Sequence, residues 1–172
     1  GDLFWDLSGT PTFEVPKDSG KNTIFAGHVW MGALDESGQL RVSGQTYRQS
    51  GNDFWPGPVA TTYDSSYFDR YGKVWKVSDP EIITHQNNYN QPGYIAPEGI
   101  ATWPGNGDTT NGEPWRIAPF SDGNSNGRYE PELGDYPLFR GDQAIFQIFS
   151  DAQFRNTETN GDSLEVDVYL MA

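Results

Sequence analysis

The sequence contains no cysteine and only two histidines in 172 residues. The missing cysteines exclude disulfide bonds, thiolate chemistry and cysteine-ligated metal centres. The two histidines, His28 and His85, form no zinc motif of the H-E-x-x-H type and make triad chemistry a poor explanation. We therefore interpret both as packing or surface residues.

Long apolar runs and basic residues are also scarce. No apolar run approaches the length of a membrane span. Eleven basic residues stand against 24 acidic ones, which gives a net charge of -13. Such a surface repels phosphate backbones and anionic membranes and attracts divalent cations. We expect no nucleic-acid partner and no membrane insertion.

Aromatic residues, glycine and proline are abundant. Aromatic residues make up 15% of the chain, beside 20 glycines and 12 prolines. The aromatics can bury a large area per residue, and the glycines and prolines favour turns over long helices. The length suits one domain. We therefore predict a single mainly β domain over residues 1–172, an antiparallel β-sandwich or jelly-roll-like fold with long loops.

Local patterns place the elements of this fold. Residues 23–34 and 40–47 predict a β-hairpin across the turn Asp35–Gly38. Strands are also expected at 74–77, 142–149 and 164–171. The stretches 60–72 and 90–116 are interpreted as loops, the second with one helical turn near Glu98–Thr102. Ser78, Pro80 and Glu81 form a capping-box pattern, which predicts one short helix near residues 79–89.

Both ends of the chain carry patterns suited to strand pairing. Residues 1–20 are expected to form an extended N-terminal arm with the apolar anchors Phe4, Trp5 and Phe13. The segment Leu164–Met171 alternates apolar and polar residues, and the sequence ends within this pattern. An uncovered strand edge invites a strand from another molecule. We expect self-association into a homo-oligomer or filament, with a monomer whose own termini pair as the alternative.

The segment Asp122–Asp135 begins with the pattern D-x-N-x-N-G, which is typical of EF-hand-like calcium loops. Asp122, Asn124 and Asn126 place oxygens at alternate positions, and the Arg128 carbonyl would add another. Gly127 permits the sharp turn. The alternative is an Asn/Gly turn whose side chains bond only their own backbone. The pattern favours a Ca²⁺ site over residues 122–135.

The calcium pattern breaks at its closing position. An EF-hand places a bidentate Glu at the twelfth loop position, where this chain has Leu133. We predict Asp135 as the closing ligand, with Glu132 as the second choice. Because Asn124 and Asn126 are neutral, affinity should be modest, in the range of about 10⁻⁴–10⁻³ M.

A series of blocks along the chain resembles large secreted proteins of Bacteroidota that end in a type IX secretion sorting domain. The blocks include residues 24–32, 45–48, 53–58, 103–105, 118–120, 134–137 and 141–146, in the same order. The resemblance implies an extracellular or cell-surface protein without an assigned enzymatic activity. Family members usually carry Asp where this chain has Asn124 and Asn126. The sorting domain is missing from these residues.

The resemblance also suggests O-glycans, which Bacteroidota attach at Asp-Ser/Thr followed by a small or aliphatic residue. Asp108-Thr109-Thr110 and Asp162-Ser163-Leu164 resemble that pattern. Thr109 and Ser163 are therefore glycosylation candidates, with ordinary polar turns as the alternative. Intact mass of native material distinguishes the two interpretations.

Two functions from different classes remain open. The first is a non-enzymatic, calcium-stabilised structural or adhesive protein of the extracellular surface, which is our leading hypothesis. The second is a glycan-binding or glycan-cleaving module, because the many acidic residues could supply a pair of catalytic carboxylates. Trp55, Trp103 and Trp115 lie in Pro/Gly-rich segments and are candidates for a glycan platform. Alternatively these rings pack into the core beneath the loops.

Overall fold

The computed structural model describes residues 10–25, 27–46 and 50–172. Its contacts divide the chain into two compact units. The first contains the residues up to Trp55 and Asp151–Glu165, and the second contains Pro56–Ser150 and Val166–Ala172. Residues 1–9 of the expected N-terminal arm, with Phe4 and Trp5, lie outside the described part. The single-domain interpretation stays a prediction.

The first unit contains two antiparallel strand pairs. Strand β1 (Phe13–Glu14) pairs with β2 (Asn22–Ile24), so the described end of the expected arm folds back on its own unit. Strand β3 (Trp30–Leu34) pairs with β4 (Leu40–Gly44). The hairpin predicted around Asp35–Gly38 is confirmed. Its turn forms because the Asp35 carboxylate accepts hydrogen bonds from the backbone of Ser37 and Gln39.

The hairpin is more exposed than its sequence suggests. Residues 23–34 are rich in apolar side chains, which favours a buried strand, yet Trp30 is 60% and Leu34 is 69% exposed. The period-two rule assigns side chains to faces but does not say which face is covered. Trp30 instead lies over Gly44, where an added Cβ would come within 3.0 Å of the indole ring.

A buried carboxylate joins the hairpin to the distant segment 151–165. Asp53 is fully buried and accepts hydrogen bonds from the backbone N–H groups of Gly44 (3.1 Å), Glu158 (2.8 Å) and Thr159 (3.2 Å). The Thr159 hydroxyl also donates to it at 2.6 Å. An ionised carboxylate that receives several N–H donors is a strong acceptor in the interior. Asp53 therefore holds two segments together that lie about a hundred residues apart.

Asp151 provides a second buried link within the same unit. Its carboxylate accepts hydrogen bonds from the Ser43 hydroxyl and from the backbone N–H of Leu164, the latter at 2.6 Å. The Asn156 amide donates to the Val42 carbonyl at 3.0 Å and to Ser43 at 2.8 Å. Polar side chains thus supply much of the cohesion of the first unit.

Glu158 makes the stability of the first unit sensitive to acid. The Thr46 hydroxyl and the backbone N–H groups of Gly51 and Ser50 donate to its carboxylate and lower its pKa to about 2. A carboxyl group with a lowered folded-state pKa binds fewer protons when folded than when unfolded. Its contribution is therefore complete above the unfolded pKa of 4.5 and is lost as pH falls towards about 2.

We expect Glu158→Gln to remove part of the acid sensitivity. Wild type should lose melting temperature between about pH 5 and pH 2, and the variant should start lower at neutral pH and fall less steeply. Thermal melts across this range, monitored by circular dichroism, measure both slopes. Glu36→Gln is a control in the same unit, on an exposed turn residue. Parallel curves for wild type and Glu158→Gln would contradict the prediction.

Strand β5 (Trp55–Pro56) spans the division between the two units. The second unit contains α1 (Ser65–Tyr71), β6 (Trp75–Ser78), α2 (Asp79–Asn88), α3 (Glu98–Ala101), β7 (Phe120–Ser121), β8 (Tyr136–Pro137), β9 (Gln143–Ser150) and β10 (Asp167–Met171). Short 3₁₀ turns lie at Thr109–Asn111 and Pro131–Leu133. Strand β9 is the centre of the largest sheet, with β10 on one side and β5 and β6 on the other.

Strand β9 is amphipathic and carries much of the core of the second unit. Ala144, Phe146, Ile148 and Ser150 are buried, whereas Ile145 between them is 45% exposed. This alternation is the signature of a sheet with one covered face. The strand pairs antiparallel with β6 and β10, which confirms the strands predicted near 74–77, 142–149 and 164–171.

The helix predicted near residues 79–89 is confirmed as α2. Ser78 is its N-cap and forms a capping box with Glu81, whose carboxylate accepts from the Ser78 backbone at 2.8 Å. The helical turn predicted near Glu98–Thr102 is confirmed as α3.

The loop predicted for residues 60–72 is wrong over α1. Asp64 caps this helix by accepting from the Tyr67 backbone N–H at 2.9 Å. Tyr67 and Tyr71 are each 1% exposed and stand four residues apart, so they lie on one helix face. The segment is rich in polar residues, so its sequence does not show the apolar periodicity that would have predicted this short helix.

The core of the second unit is rich in aromatic residues, as expected. The Trp103 and Phe146 rings lie 5.1 Å apart, and the Trp75 ring lies 6.1 Å from Phe146. The Trp75 indole N–H donates to the Thr102 carbonyl at 2.7 Å, which satisfies its polar atom inside the core.

The structure has more residues in strands than in helices, which confirms the β-rich class. The described strands form one four-stranded sheet and three two-stranded sheets. These sheets are small, and a sandwich or jelly roll stays a prediction. Across the described residues, no helix has both the length and the apolar character to cross a membrane.

Candidate calcium-binding loop

The segment Asp122–Asp135 is held as a closed loop by a short strand pair at its base. Strands β7 and β8 pair antiparallel immediately before and after it, with Phe120 opposite Pro137 and Ser121 opposite Tyr136. This strand pair therefore holds the two ends of the loop next to each other. A ligand set on this loop would lose less conformational entropy on binding.

The first two predicted ligands converge on one backbone group. Asp122 Oδ1 and Asn124 Oδ1 both accept a hydrogen bond from the Asn126 N–H, at 3.2 and 3.0 Å. Asp122 Oδ2 accepts from the Gly127 N–H at 2.7 Å. The Asp122 and Asn124 oxygens thus face the same backbone N–H group, which is the bonding expected of the alternative Asn/Gly turn.

Gly127 makes the sharp turn after Asn126, as the sequence predicts. Gly127 has φ +79°, a conformation that side-chain-bearing residues rarely adopt. Asn126 Oδ1 accepts from the Arg128 N–H at 2.7 Å. No hydrogen bond to the Arg128 carbonyl is found within the described part of the chain, so this oxygen can serve as a ligand.

Asp135 closes the loop from its far end. It is 1% exposed, and its two oxygens accept from the backbone N–H groups of Gly123 and Glu130, each at 2.9 Å. It therefore joins the start, the middle and the end of the loop. Glu132, the second choice for the closing ligand, is exposed.

Glu130 is a further candidate ligand that the sequence interpretation missed. Its Oε2 accepts hydrogen bonds from the side-chain amides of both Asn124 and Asn126. It occupies the ninth position of the loop, which contributes to calcium coordination in EF-hands, often through water. With Asp122 as position one and Arg128 as position seven, the EF-hand pattern itself indicates Glu130 as a ligand at position nine.

The loop is anchored to the core by Asn106 and Tyr129. The Asn106 amide donates to the Gly127 carbonyl at 3.1 Å and accepts from the Tyr129 N–H at 2.7 Å. The Tyr129 hydroxyl donates to the Ile100 carbonyl at 2.6 Å. Burial raises the pKa of Tyr129, and the charges of Asp135 and Glu132 raise it further, so the phenol stays neutral.

His85 connects the loop to helix α2. The side chain is 1% exposed, and its Nε2 lies 3.1 Å from the Asp135 carbonyl oxygen. Its Nδ1 lies 3.3 Å from the Tyr94 hydroxyl. The prediction that His85 is a packing residue agrees with this burial, and the residue also fixes the backbone at the closing position.

The oxygen set has the chemistry that calcium prefers. Calcium takes carboxylate, amide and backbone carbonyl oxygens together, and each oxygen has lone pairs for an N–H donor and for a cation. Among residues 10–25, 27–46 and 50–172, no group of three or more His, Cys, Asp or Glu side chains is arranged to hold a metal ion. A calcium site here would therefore depend on the Asn124, Asn126 and Arg128 oxygens beside the carboxylates.

The three tryptophans proposed as a glycan platform have different environments. Trp103 is 3% exposed and donates its indole N–H to the Pro119 carbonyl, so the platform assignment is wrong for this core residue. Trp55 is half-buried, with its ring edge-on to Phe154 at 5.3 Å. Trp115 is 42% exposed, and the Arg128 guanidinium lies 5.5 Å from its ring centre.

The two glycosylation candidates lie outside the strands, as expected. Thr109 is exposed in the 3₁₀ turn Thr109–Asn111, which Asp108 caps by accepting from the Thr110 N–H at 2.9 Å. Ser163 is half-buried in an irregular segment. Modification of either residue stays a prediction.

Comparison with known proteins adds no family to this description. No family model matches the chain, and neither a curated protein nor a solved structure is significantly similar to it.

Proposed function

We propose that this chain is a non-enzymatic structural or adhesive protein of the extracellular surface that is stabilised by calcium at Asp122–Asp135. The observation that supports the proposal best is the loop itself. It carries carboxylate and amide oxygens at alternate positions, within a segment whose ends β7 and β8 pair and whose start and middle bond to Asp135. A net charge of -13 adds a reason for a divalent cation, because bound calcium reduces self-repulsion.

The proposed ligands are the side chains of Asp122, Asn124, Asn126 and Asp135 with the Arg128 carbonyl. Glu130 adds a carboxylate directly or through water. Only part of this set is charged, which supports the modest affinity expected of an extracellular module, about 10⁻⁴–10⁻³ M. A protein in a calcium-rich medium would then be loaded, and the same protein would lose calcium at the micromolar levels typical inside cells.

Calcium is expected to raise the melting temperature. At about 10 mM calcium, an affinity in this range adds about 1.4–2.7 kcal/mol, which corresponds to a rise of about 3–10 °C. Asp122→Ala should abolish the rise because it removes the first charged ligand. Differential scanning calorimetry with calcium and with chelator measures the effect.

Asp69→Ala is the matched control, since Asp69 is an exposed carboxylate on α1. It should keep the full calcium response. The same melting temperature with calcium and with chelator in wild type would refute the calcium proposal, and magnesium in place of calcium tests selectivity.

Glycan binding is the second candidate function, and it is favoured by the exposed ring of Trp115 beside the loop. The Trp115 indole nitrogen lies 3.8 Å from the Cβ position at Gly127, so the ring adjoins the turn of the proposed calcium site. Aromatic faces commonly stack on the apolar face of a sugar ring. A sugar would need to displace the Arg128 guanidinium or use the opposite face.

Titration calorimetry with cellohexaose, laminarihexaose and chitohexaose tests this second candidate. Binding should require calcium and should be lost in Trp115→Ala. Trp30→Ala is the matched control, because Trp30 is the more exposed tryptophan at 60% but belongs to the hairpin of the first unit. Binding that survives Trp115→Ala would eliminate Trp115 as the platform.

A further inference from the structure

The chain has four asparagine–glycine pairs, and these are the positions where an asparagine is chemically least durable. They are Asn106-Gly107, Asn111-Gly112, Asn126-Gly127 and Asn160-Gly161. In such a pair the peptide nitrogen of the glycine can attack the carbonyl carbon of the asparagine side chain, because glycine has no Cβ to obstruct the ring closure. In a folded protein the reaction depends on how firmly the asparagine side chain is held.

Hydrogen bonds at both ends of the amide hold the first two of these side chains. The Asn106 amide donates to the Trp115 carbonyl at 2.9 Å and accepts from the Tyr129 N–H at 2.7 Å. The Asn111 amide donates to the Thr62 carbonyl at 3.0 Å and accepts from the Thr62 N–H at 2.9 Å. Turning either amide towards the next peptide nitrogen would break bonds on both sides of it.

Asn126, in the proposed calcium loop, is held in the same way. Its amide accepts from the Arg128 N–H at 2.7 Å and donates to the Glu130 carboxylate. The attacking nitrogen is restrained as well, because the Gly127 N–H donates to the Asp122 carboxylate at 2.7 Å. Ring closure requires this N–H to lose its proton, and a negative charge beside it opposes that loss.

Asn160 differs from the other three in every respect. Its side chain is exposed, and no hydrogen bond to it is found among residues 10–25, 27–46 and 50–172. It belongs to a stretch, residues 151–166, that lies in no helix or strand. The Gly161 N–H donates only to the Thr159 hydroxyl, a neutral acceptor, at 3.2 Å. Asparagine suits this position through its backbone, since φ is +56°, a value that asparagine adopts more readily than most residues.

We propose that Asn160-Gly161 is a site of spontaneous covalent modification, at which asparagine is converted to isoaspartate and aspartate. The Gly161 nitrogen gives up its proton and bonds to Asn160 Cγ. The bond from Cγ to Nδ2 breaks, and Nδ2 leaves as ammonia with that proton. Water, the only co-reactant, then opens the succinimide ring. Opening at Cγ gives aspartate, and opening at the backbone carbonyl carbon gives isoaspartate, in which the chain runs through Cγ.

The isoaspartate product does not fit the contacts on either side of this site. The Thr159 hydroxyl donates to Asp53 at 2.6 Å, and the Asp162 carbonyl accepts from the Val42 N–H at 3.1 Å. Between them, a Cβ added at Gly161 would come within 2.5 Å of the Val42 carbonyl oxygen, so the two backbones are already in close contact. Isoaspartate lengthens the backbone here by one carbon–carbon bond of about 1.5 Å. The modification therefore loosens the segment 151–165 from the β3–β4 hairpin.

The test follows all four pairs in the whole, folded chain. The protein is kept in mildly alkaline buffer at physiological temperature, and peptide mapping by mass spectrometry separates asparagine, aspartate and isoaspartate at each pair over time. Because the anchored side chains react only through local opening, we expect Asn160 to convert at least about tenfold faster than the other three. Equal rates at the four pairs, or earlier conversion at any other pair, would overturn the proposal.

The same incubation in concentrated urea is the matched control and needs no variant. Unfolding removes every hydrogen bond that distinguishes the pairs, so the four rates should become similar. The preference for Asn160 should therefore disappear. A preference for Asn160 that persists in urea would show that the local sequence, and not the fold, selects the site, and would contradict the inference.

The structural consequence is tested on the aged protein after chromatographic separation of its products. The isoaspartate form should melt several degrees lower than the unmodified chain. Asn160→Asp should melt close to wild type, because it adds the same charge without lengthening the backbone. Asn160→Gln, whose longer side chain closes the corresponding ring much more slowly, should keep its melting temperature through the same incubation. An isoaspartate form that melts like wild type would refute the predicted loosening.

Discussion

Asp135→Ala is expected to abolish the calcium response and to destabilise the calcium-free protein by about 2–4 kcal/mol. The carboxylate is buried and accepts the backbone N–H groups of Gly123 and Glu130. Alanine leaves both donors without an acceptor, and each unsatisfied buried donor costs about 1–3 kcal/mol. The closing ligand of the proposed calcium site is lost at the same time.

Urea unfolding with calcium and with chelator separates the two effects. Asp122→Ala should lose the calcium response with a smaller loss of calcium-free stability, because Asp122 is only half-buried. Asp135→Asn should be intermediate, since its amide keeps one acceptor oxygen. An Asp135→Ala variant with the full calcium-induced stabilisation would show that another residue closes the loop.

Asp53→Ala is expected to cause a comparable or larger loss, about 3–5 kcal/mol. Three backbone N–H groups and the Thr159 hydroxyl converge on this carboxylate, which is fully buried. Removing it leaves several donors unsatisfied at once. It also removes one of the polar links between the β3–β4 hairpin and the segment that contains Glu158 and Thr159.

Chemical denaturation followed by circular dichroism measures this loss, with Glu36→Ala as an exposed control in the same unit. The loss should not depend on calcium, because Asp53 is not part of the calcium loop. Hydrogen exchange should show increased opening at the N–H groups of Gly44 and Thr159. A change below about 1 kcal/mol would mean that these donors find other acceptors.

Elements with strong local signals were predictable from the sequence. The β3–β4 hairpin has a turn that begins with Asp35 and ends with Gly38, α2 has a capping box at Ser78, and β9 is a short, mostly apolar run. Each signal acts within a few residues and does not depend on the rest of the fold. Helix α1 was missed because its only local signal is the Asp64 cap, and its burial depends on where Tyr67 and Tyr71 pack.

The roles of acidic residues were the hardest to predict. Asp53 and Asp151 lie in polar segments where a carboxylate is usually solvated, yet both are fully buried. Their partners are up to 108 residues away in the sequence, so no local pattern reveals them. The calcium-loop candidates were found because Asp122, Asn124 and Asn126 are spaced within one turn. Trp103 stayed open between a glycan platform and a core position because the sequence could not show that its ring packs against Phe146 and bonds to the Pro119 carbonyl.

The two-segment composition of the first unit has a consequence during synthesis. Asp53 acquires two of its backbone donors only when Asp151–Glu165 has been made, because these donors are the N–H groups of Glu158 and Thr159. Domains usually fold from the N-terminus as they emerge. The β3–β4 hairpin can pair as it emerges, but its links to the segment 151–165 form only after about a hundred later residues have been made.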